Sequence, residues 1–162
     1  MAYTFITPIL GLQPIAVTDT VQNHPLGLIV EAYDPDYGNG EFIYLKGVAS
    51  TVIGSWIVYN TDAWTTVLIV PDSIGPVAVA MSANVASQYG WYQIGGEAYA
   101  KAADVADSAK VYIDTAPGVC DDAVVTGDRV TGAKWTSADA TATGTATCML
   151  ARPFVTDQKD AT

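Results

Sequence analysis

The sequence is short of positive charge, has one histidine and two cysteines, and contains no long apolar run. Each shortage removes a class of function. Only 7 Lys and Arg stand against 17 Asp and Glu, for a formal net charge of -10. Phosphate backbones and anionic membranes repel such a surface, so neither nucleic acid nor membrane is an expected partner. The first basic side chain is Lys46, and Asp19, Glu31, Asp34, Asp36 and Glu41 all precede it. A partner attracted by charge therefore presents a basic surface. No stretch approaches the roughly 18 consecutive apolar residues of a membrane span, and Met1-Ala2-Tyr3 lacks the basic start of a secretory signal. A soluble protein, made and used without export, is the expectation.

Cys120 and Cys148 lie far apart in the chain and are expected to be buried free thiols, with a disulfide between them as the lesser alternative. With His24 they make three soft ligands, none close to another, whereas structural zinc takes four at paired spacing. No metal and no cofactor is expected. The eight residues DPDYGNGE, 34 to 41, place two carboxylates before a Gly-rich turn in the manner of a calcium loop. Counted from Asp34, however, an EF-hand register puts Gly38 at position 5, Asn39 at position 6 and Leu45 at position 12, where ligands and a glycine belong. Asp-Pro and Asn-Gly are turn signals, and a turn between a strand ending at Tyr33 and one beginning at Glu41 accounts for the phrase.

Catalysis finds no support in the sequence. A Ser-His-Asp or Cys-His arrangement has only His24 to use, in a Pro-flanked stretch, and no G-x-S-x-G elbow occurs. The pair Asp121-Asp122 resembles a glycosidase acid and base, but a chain with 17 acids brings some to such separations by chance. A solvated loop is the plainer reading, and the chain is read as not an enzyme.

What the chain does have is half its residues apolar and 162 residues in which to bury them, enough for one domain with a sizeable core. From Gly27 onward, short β-branched and aromatic runs alternate with turn residues: LGLIVEAY, EFIYLKG, SWIVYN, WTTVLIVP, PVAVAMSA, YGWYQIGG, KVYIDT, DRVTGAKW and ATCMLARPF. This texture predicts an all-β domain over 27–155, a single β-barrel or jelly-roll-like β-sandwich. In GSWIVYN, Trp56 and Val58 share one face and Ile57 and Tyr59 the other; WTTVLIV likewise has no polar side. Both strands are predicted to be covered twice. EAYAKAADVADSA, 97 to 109, has helical propensity but alternates, which predicts a strand to about Ala102 and then a turn or short helical piece. The small-residue stretch 136–147 predicts an exposed loop, and 156–162 a polar, fraying tail.

Residues 1–26 carry Pro8, Pro14 and Pro25 and no sustained period, and are predicted to form an extended N-terminal arm. Phe5, Ile6, Ile9, Leu10, Leu12 and Ile15 have no place in the strand pattern of the domain. They are the candidate partner-binding residues, buried against a neighbouring copy or another surface. Each contributes on the order of 1.5 to 3 kcal/mol if fully buried, before the entropy of ordering the arm. The rings Trp56, Trp64, Tyr89, Trp91, Tyr92 and Trp135 could instead form a platform for sugars, in a carbohydrate-binding or adhesin-like module, although such rings more often fill a β core.

The phrases HPLGLIVEAYDPDYGNGEFIYLKGVASTVIGSWIVYN (24–60), PVAVAMSANVASQYGWYQIGG (76–96), VVTGDRV (124–130) and ARPF (151–154) resemble the head decoration, or capsid cement, proteins of tailed bacteriophages. The resemblance spans about Pro8 to Phe154 and lies in the order of phrases, with no active-site signature among them. It implies a structural virion protein on the outer surface of an icosahedral capsid, made in the host cytoplasm, often a homotrimer, that clamps neighbouring major capsid subunits and stabilises the head.

Overall fold

Residues 2–156 are described by a computed structural model. Apart from Thr156, the tail expected at 156–162 lies outside them. The described residues contain no helix. Their strands are β1 (Thr4–Phe5), β2 (Ile29–Asp34), β3 (Gly38–Lys46), β4 (Trp56–Tyr59), β5 (Thr66–Leu68), β6 (Gly75–Ala80), β7 (Tyr89–Ala102), β8 (Lys110–Ile113), β9 (Cys120–Asp121), β10 (Arg129–Trp135) and β11 (Gly144–Val155). All belong to one 11-stranded sheet in the order β1-β2-β3-β7-β9-β8-β10-β11-β6-β4-β5, with β7 also bonded to β11 and β6. The all-β expectation is met.

The sheet closes on itself twice. β7, β11, β10, β8 and β9 form one hydrogen-bonded circuit, completed by the parallel pair Ala102–Cys120. Its interior is narrow, which accounts for the small residues: Ala98, Ala100, Ala102, Ala146, Cys120 and Cys148 are all buried there, leaving room for Trp56 and Trp135. These indoles meet edge-on with ring centroids 5.9 Å apart, and donate to the carbonyls of Lys101 at 2.9 Å and Asp121 at 3.1 Å. A buried indole N–H needs such an acceptor.

The second circuit runs β3-β7-β6-β4-β5 and is joined by a bridge between Lys46 and Thr65. It encloses Ile43, Leu45, Ile57, Ala78, Ala80, Tyr92 and Ile94. β4 and β6 form the wall between the two cores, so Trp56 and Ile57 point into different ones, as the apolar faces of SWIVYN predict. β5 differs from its prediction. It ends the sheet order and exposes Val67, so only one of its faces is covered.

Two further expectations are revised. Gly144–Thr147, placed in an exposed loop by composition, opens β11 and pairs with residues 99–102 of β7. Small residues bury little surface in isolation, but in a narrow barrel only small residues fit. The hairpin turn occupies 35–37 and Asn39-Gly40 lies inside β3, because Asp34 takes the amides of Asp36 and Tyr37 at 2.8 and 3.2 Å and sets the turn early. After Ala102 the chain makes a turn, without a helical piece.

Candidate functional site

The segment 2–26 is extended, but it is fastened to its own domain. Thr4 and Phe5 pair with Tyr33 and Ala32 of β2. The amides of Ile6 and Thr7 then donate to the Glu31 carbonyl, while the Glu31 amide donates to Thr7 Oγ1 at 2.7 Å. Opposed residues of an antiparallel pair face the same side. Phe5 therefore turns inward with Ala32, and Ile6 turns outward with Glu31.

Further along, Gln13 is the second fastening. It is buried on the outer face of β3 and β7, and nearly every polar atom it carries is used. Its carbonyl accepts Trp91 Nε1 at 2.7 Å, its Oε1 accepts the Tyr44 hydroxyl at 3.1 Å and Asn23 Nδ2 at 3.0 Å, and its Nε2 donates to the carbonyls of Val17 and Tyr89. The Gln13 amide donates to His24 Nε2 at 3.0 Å. The His24 ring lies edge-on to Tyr44 and tilted against Trp91, and burial lowers its pKa below the ordinary value of 6.5. Asp19 closes the strap with a two-way backbone bridge to Tyr89.

These fastenings divide the six candidate residues into two sets of three. Ile15 is buried, and Phe5 and Leu12 are half-buried, in a core with Val30, Ala32, Phe42, Tyr44, Met81 and Trp91. Their burial partners lie within the same chain, which corrects the expectation that a neighbour covers them. The sequence hid this because a Pro-broken segment docks through separated residues without a period. Ile6, Ile9 and Leu10 are 52, 42 and 100% exposed. They occupy the tip of the strap, where the Leu10-Gly11 turn uses the left-handed φ of +74° at Gly11. The tip is thus held at 4–7 and again at 13. Ile29 and Tyr33, exposed on β2 beside Glu31, continue its surface. Strict alternation in IVEAYD carries that signal.

Beyond Glu31 the face leads into a shallow cleft of about 380 Å³ floored by Gly95 and Gly96. Here β7 passes so close to β3 that a Cβ on Gly96 would lie 2.2 Å from the Asn39 carbonyl. The cleft is rimmed by Glu31, Glu41 and Arg152. Arg152 has a φ of 48° at a bulge in β11, which aims its Nε at Glu41 Oε2, 3.1 Å away. Both side chains are solvated, so the pair orients more than it stabilises.

Measured against known families and curated proteins, the chain matches no family model and no curated protein.

The other chemistries considered from sequence have these placements. Trp56, Trp91, Trp135 and Tyr92 are fully buried and form no outward sugar platform; Trp64 is half-buried, packed under Gly27. Asp121 lies in β9 with its pKa pushed up to about 6, by burial first and by Asp114 next, while Asp122 caps the Ala106 amide at 2.9 Å. Neither acid lines the Arg152 cleft. Cys120 and Cys148 are free and buried in the barrel core, and burial raises both thiols out of the reactive range. Among the described residues, no three His, Cys, Asp or Glu side chains are grouped to hold a metal ion.

Proposed function

We propose that the chain is a non-enzymatic decoration subunit, which docks on the outer surface of an icosahedral phage capsid and stabilises it by clamping neighbouring major capsid subunits. The observation that carries this reading is the strap tip. Ile6, Ile9 and Leu10 are offered to solvent by a segment hydrogen-bonded to its own sheet on both sides, through Thr4–Thr7 to β2 and through Gln13 to Tyr44 of β3 and Trp91 of β7. A pre-ordered apolar tip docks without the entropy cost of ordering a free arm. Its surroundings select the partner by charge, because residues 2–45 contain five acids and no Lys or Arg. The complementary surface is apolar with a basic rim. The all-β fold is compatible with the same role, and the order of phrases, which resembles that of capsid cement proteins, favours it.

Stabilisation follows from mass action. A subunit that binds the assembled lattice and not its dissociated parts adds its binding free energy to the cost of disassembly. Several copies around one lattice position would multiply a modest affinity. The test is co-sedimentation with undecorated, expanded phage capsids assembled from a major capsid protein alone. Wild type is expected to pellet with the capsids, and Ile9→Asp/Leu10→Asp to bind at least about tenfold more weakly, the effect of losing roughly 1.4 kcal/mol. Equal binding by the variant, or none by wild type, defeats the proposal. Both changes lie at the exposed tip and leave the cores intact. Deleting the whole strap would also strip Ile15 and Gln13 from the domain.

A further inference from the structure

We propose that the second circuit holds a single water molecule as a built-in part, bound at its capped end by Ser82, Asn84 and Tyr92. The site is separate from the strap tip, and the inference does not rest on the capsid reading.

Five sealed side-chain polar atoms have no hydrogen-bond partner among the described residues, and three of them, Ser82 Oγ, Asn84 Oδ1 and Tyr92 OH, gather here. All three residues are more than nine-tenths buried. Tyr92 points into the circuit, and Gly90, two residues earlier on β7, shares its face. Ser82 and Asn84 lie over Gly90, where a Cβ would stand 3.4 Å from Ser82 Oγ and 3.3 Å from the Asn84 amide. The Tyr92 hydroxyl reaches the same end. Burial pushes its pKa up to about 12, and the side chains of Thr66, Asn84 and Thr51 stand near enough to pull it part of the way back, yet none of them bonds to it. Polar groups that face one another without touching are the setting in which water bridges.

The donors and acceptors identify the occupant. Asn84 Nδ2 donates to the Leu45 carbonyl at 3.3 Å, which fixes the amide and leaves Oδ1 as an acceptor. The hydroxyls of Thr51 and Thr66 already donate to the carbonyls of Val48 and Lys46, at 2.8 and 2.9 Å, and can only accept further. Tyr92 and Ser82 each have a proton to give. A molecule that accepts from Tyr92 and Ser82 and donates to Asn84 Oδ1 and to a threonine oxygen satisfies the whole group, and water has that valence. None of the five side chains is ionised at neutral pH, so a cation here would be buried without an opposite charge among them. The bridge ties β7 to the turn that follows β6, next to the Lys46 junction that holds β5 against β3.

The test is a crystal structure of the full-length protein at high resolution, paired with oxygen-17 relaxation dispersion, which counts the waters that tumble with the folded chain. Wild type is expected to show one density peak about 2.5 to 3.2 Å from Asn84 Oδ1 and from the Tyr92 and Ser82 hydroxyls. Tyr92→Phe and Ser82→Ala each remove one partner, and each is expected to shorten the residence time of that water about two- to tenfold, the effect of one hydrogen bond. Ser82 is 7% exposed and loses only a hydroxyl, so its variant keeps the test open if Tyr92→Phe fails to fold. The melting temperature is expected to be the same in sodium, potassium and choline chloride. A Tyr92 hydroxyl bonded directly to Asn84 or a threonine with no peak between them, or a dispersion unchanged in the folded variants, overturns the inference. So does a melting temperature raised by one small cation alone, which would make the occupant an ion. Because no capsid is present, failure here is separate from failure to dock.

Discussion

Trp135 and Trp91 are both fully buried, yet they are enclosed by different means. Around Trp135 the barrel closes through backbone ladders, and the interior is apolar apart from two unreactive thiols. Around Trp91 the cover is the strap, held by a short pairing with β2 and by the polar hub at Gln13. Closure by ladders depends on shape, and the Asp121 carboxyl in β9, raised to about 6 by burial, favours the folded barrel as pH falls instead of loosening it. A polar clasp with histidine as acceptor depends on where protons are. The two regions should therefore fail under different stresses.

The largest effect is expected from breaking the barrel. Trp135→Ala empties its centre and should cost about 3 to 5 kcal/mol of global stability, read as one cooperative loss in denaturant. A non-cooperative curve, with β7 to β11 unfolding apart from the rest, would show that the two circuits are independent units. A smaller, local effect is expected from the clasp. Gln13→Ala leaves the Tyr44 hydroxyl, the Asn23 side chain and the Val17 and Tyr89 carbonyls short of a partner and should cost about 1 to 3 kcal/mol. Amide exchange should rise at residues 2–24 before it rises in the barrel. Equal protection in both regions would contradict the division.

The smallest effect concerns pH. Because His24 has a lower pKa folded than its ordinary value of 6.5, the unfolded chain binds more protons around that pH. The contribution of His24 is fully present above about 6.5 and is lost as pH falls through the lower folded value. Protonation also turns Nε2 from acceptor to donor against the Gln13 amide. Strap protection, taken relative to the intrinsic exchange rate at each pH, should therefore fall between about pH 6.5 and 5 while barrel protection does not, and His24→Gln should flatten that response. Asp34, buried at the first hairpin, does not confuse this window. Burial opposes its charge, but the amides of Asp36, Ala2 and Tyr37 outweigh that and hold its pKa below 3.8, so its contribution fades only in stronger acid.

The sequence reveals the barrel more readily than the strap. Runs such as EFIYLKG and SWIVYN alternate, and alternation is a direct record of two faces. The strap's packing rests on Phe5, Leu12, Gln13 and Ile15, spaced by turns and prolines, and its best-satisfied residue is a glutamine that no hydrophobic pattern selects. Half of the candidate site is legible for the same reason. An apolar side chain without a period was recognisable as unplaced, but only the fastening at Gln13 separates Ile15, inside, from Leu10, outside. The exposure of Val67 was missed because WTTVLIV is apolar on both sides, which reads the same for a strand covered twice and for one covered on a single face.

β7 pairs in its first half with β3 and β6, both earlier in the chain, and in its second half with β9 and β11, which come later. During synthesis, a chain that has emerged to about Ala102 can close the circuit around Tyr92 and seat the strap over Trp91. The second half of the same strand must wait for some fifty more residues. For that interval its small, apolar alanines stand unpaired, and the nascent chain is a half-finished sheet with an open edge, the form in which β proteins most readily mispair with one another.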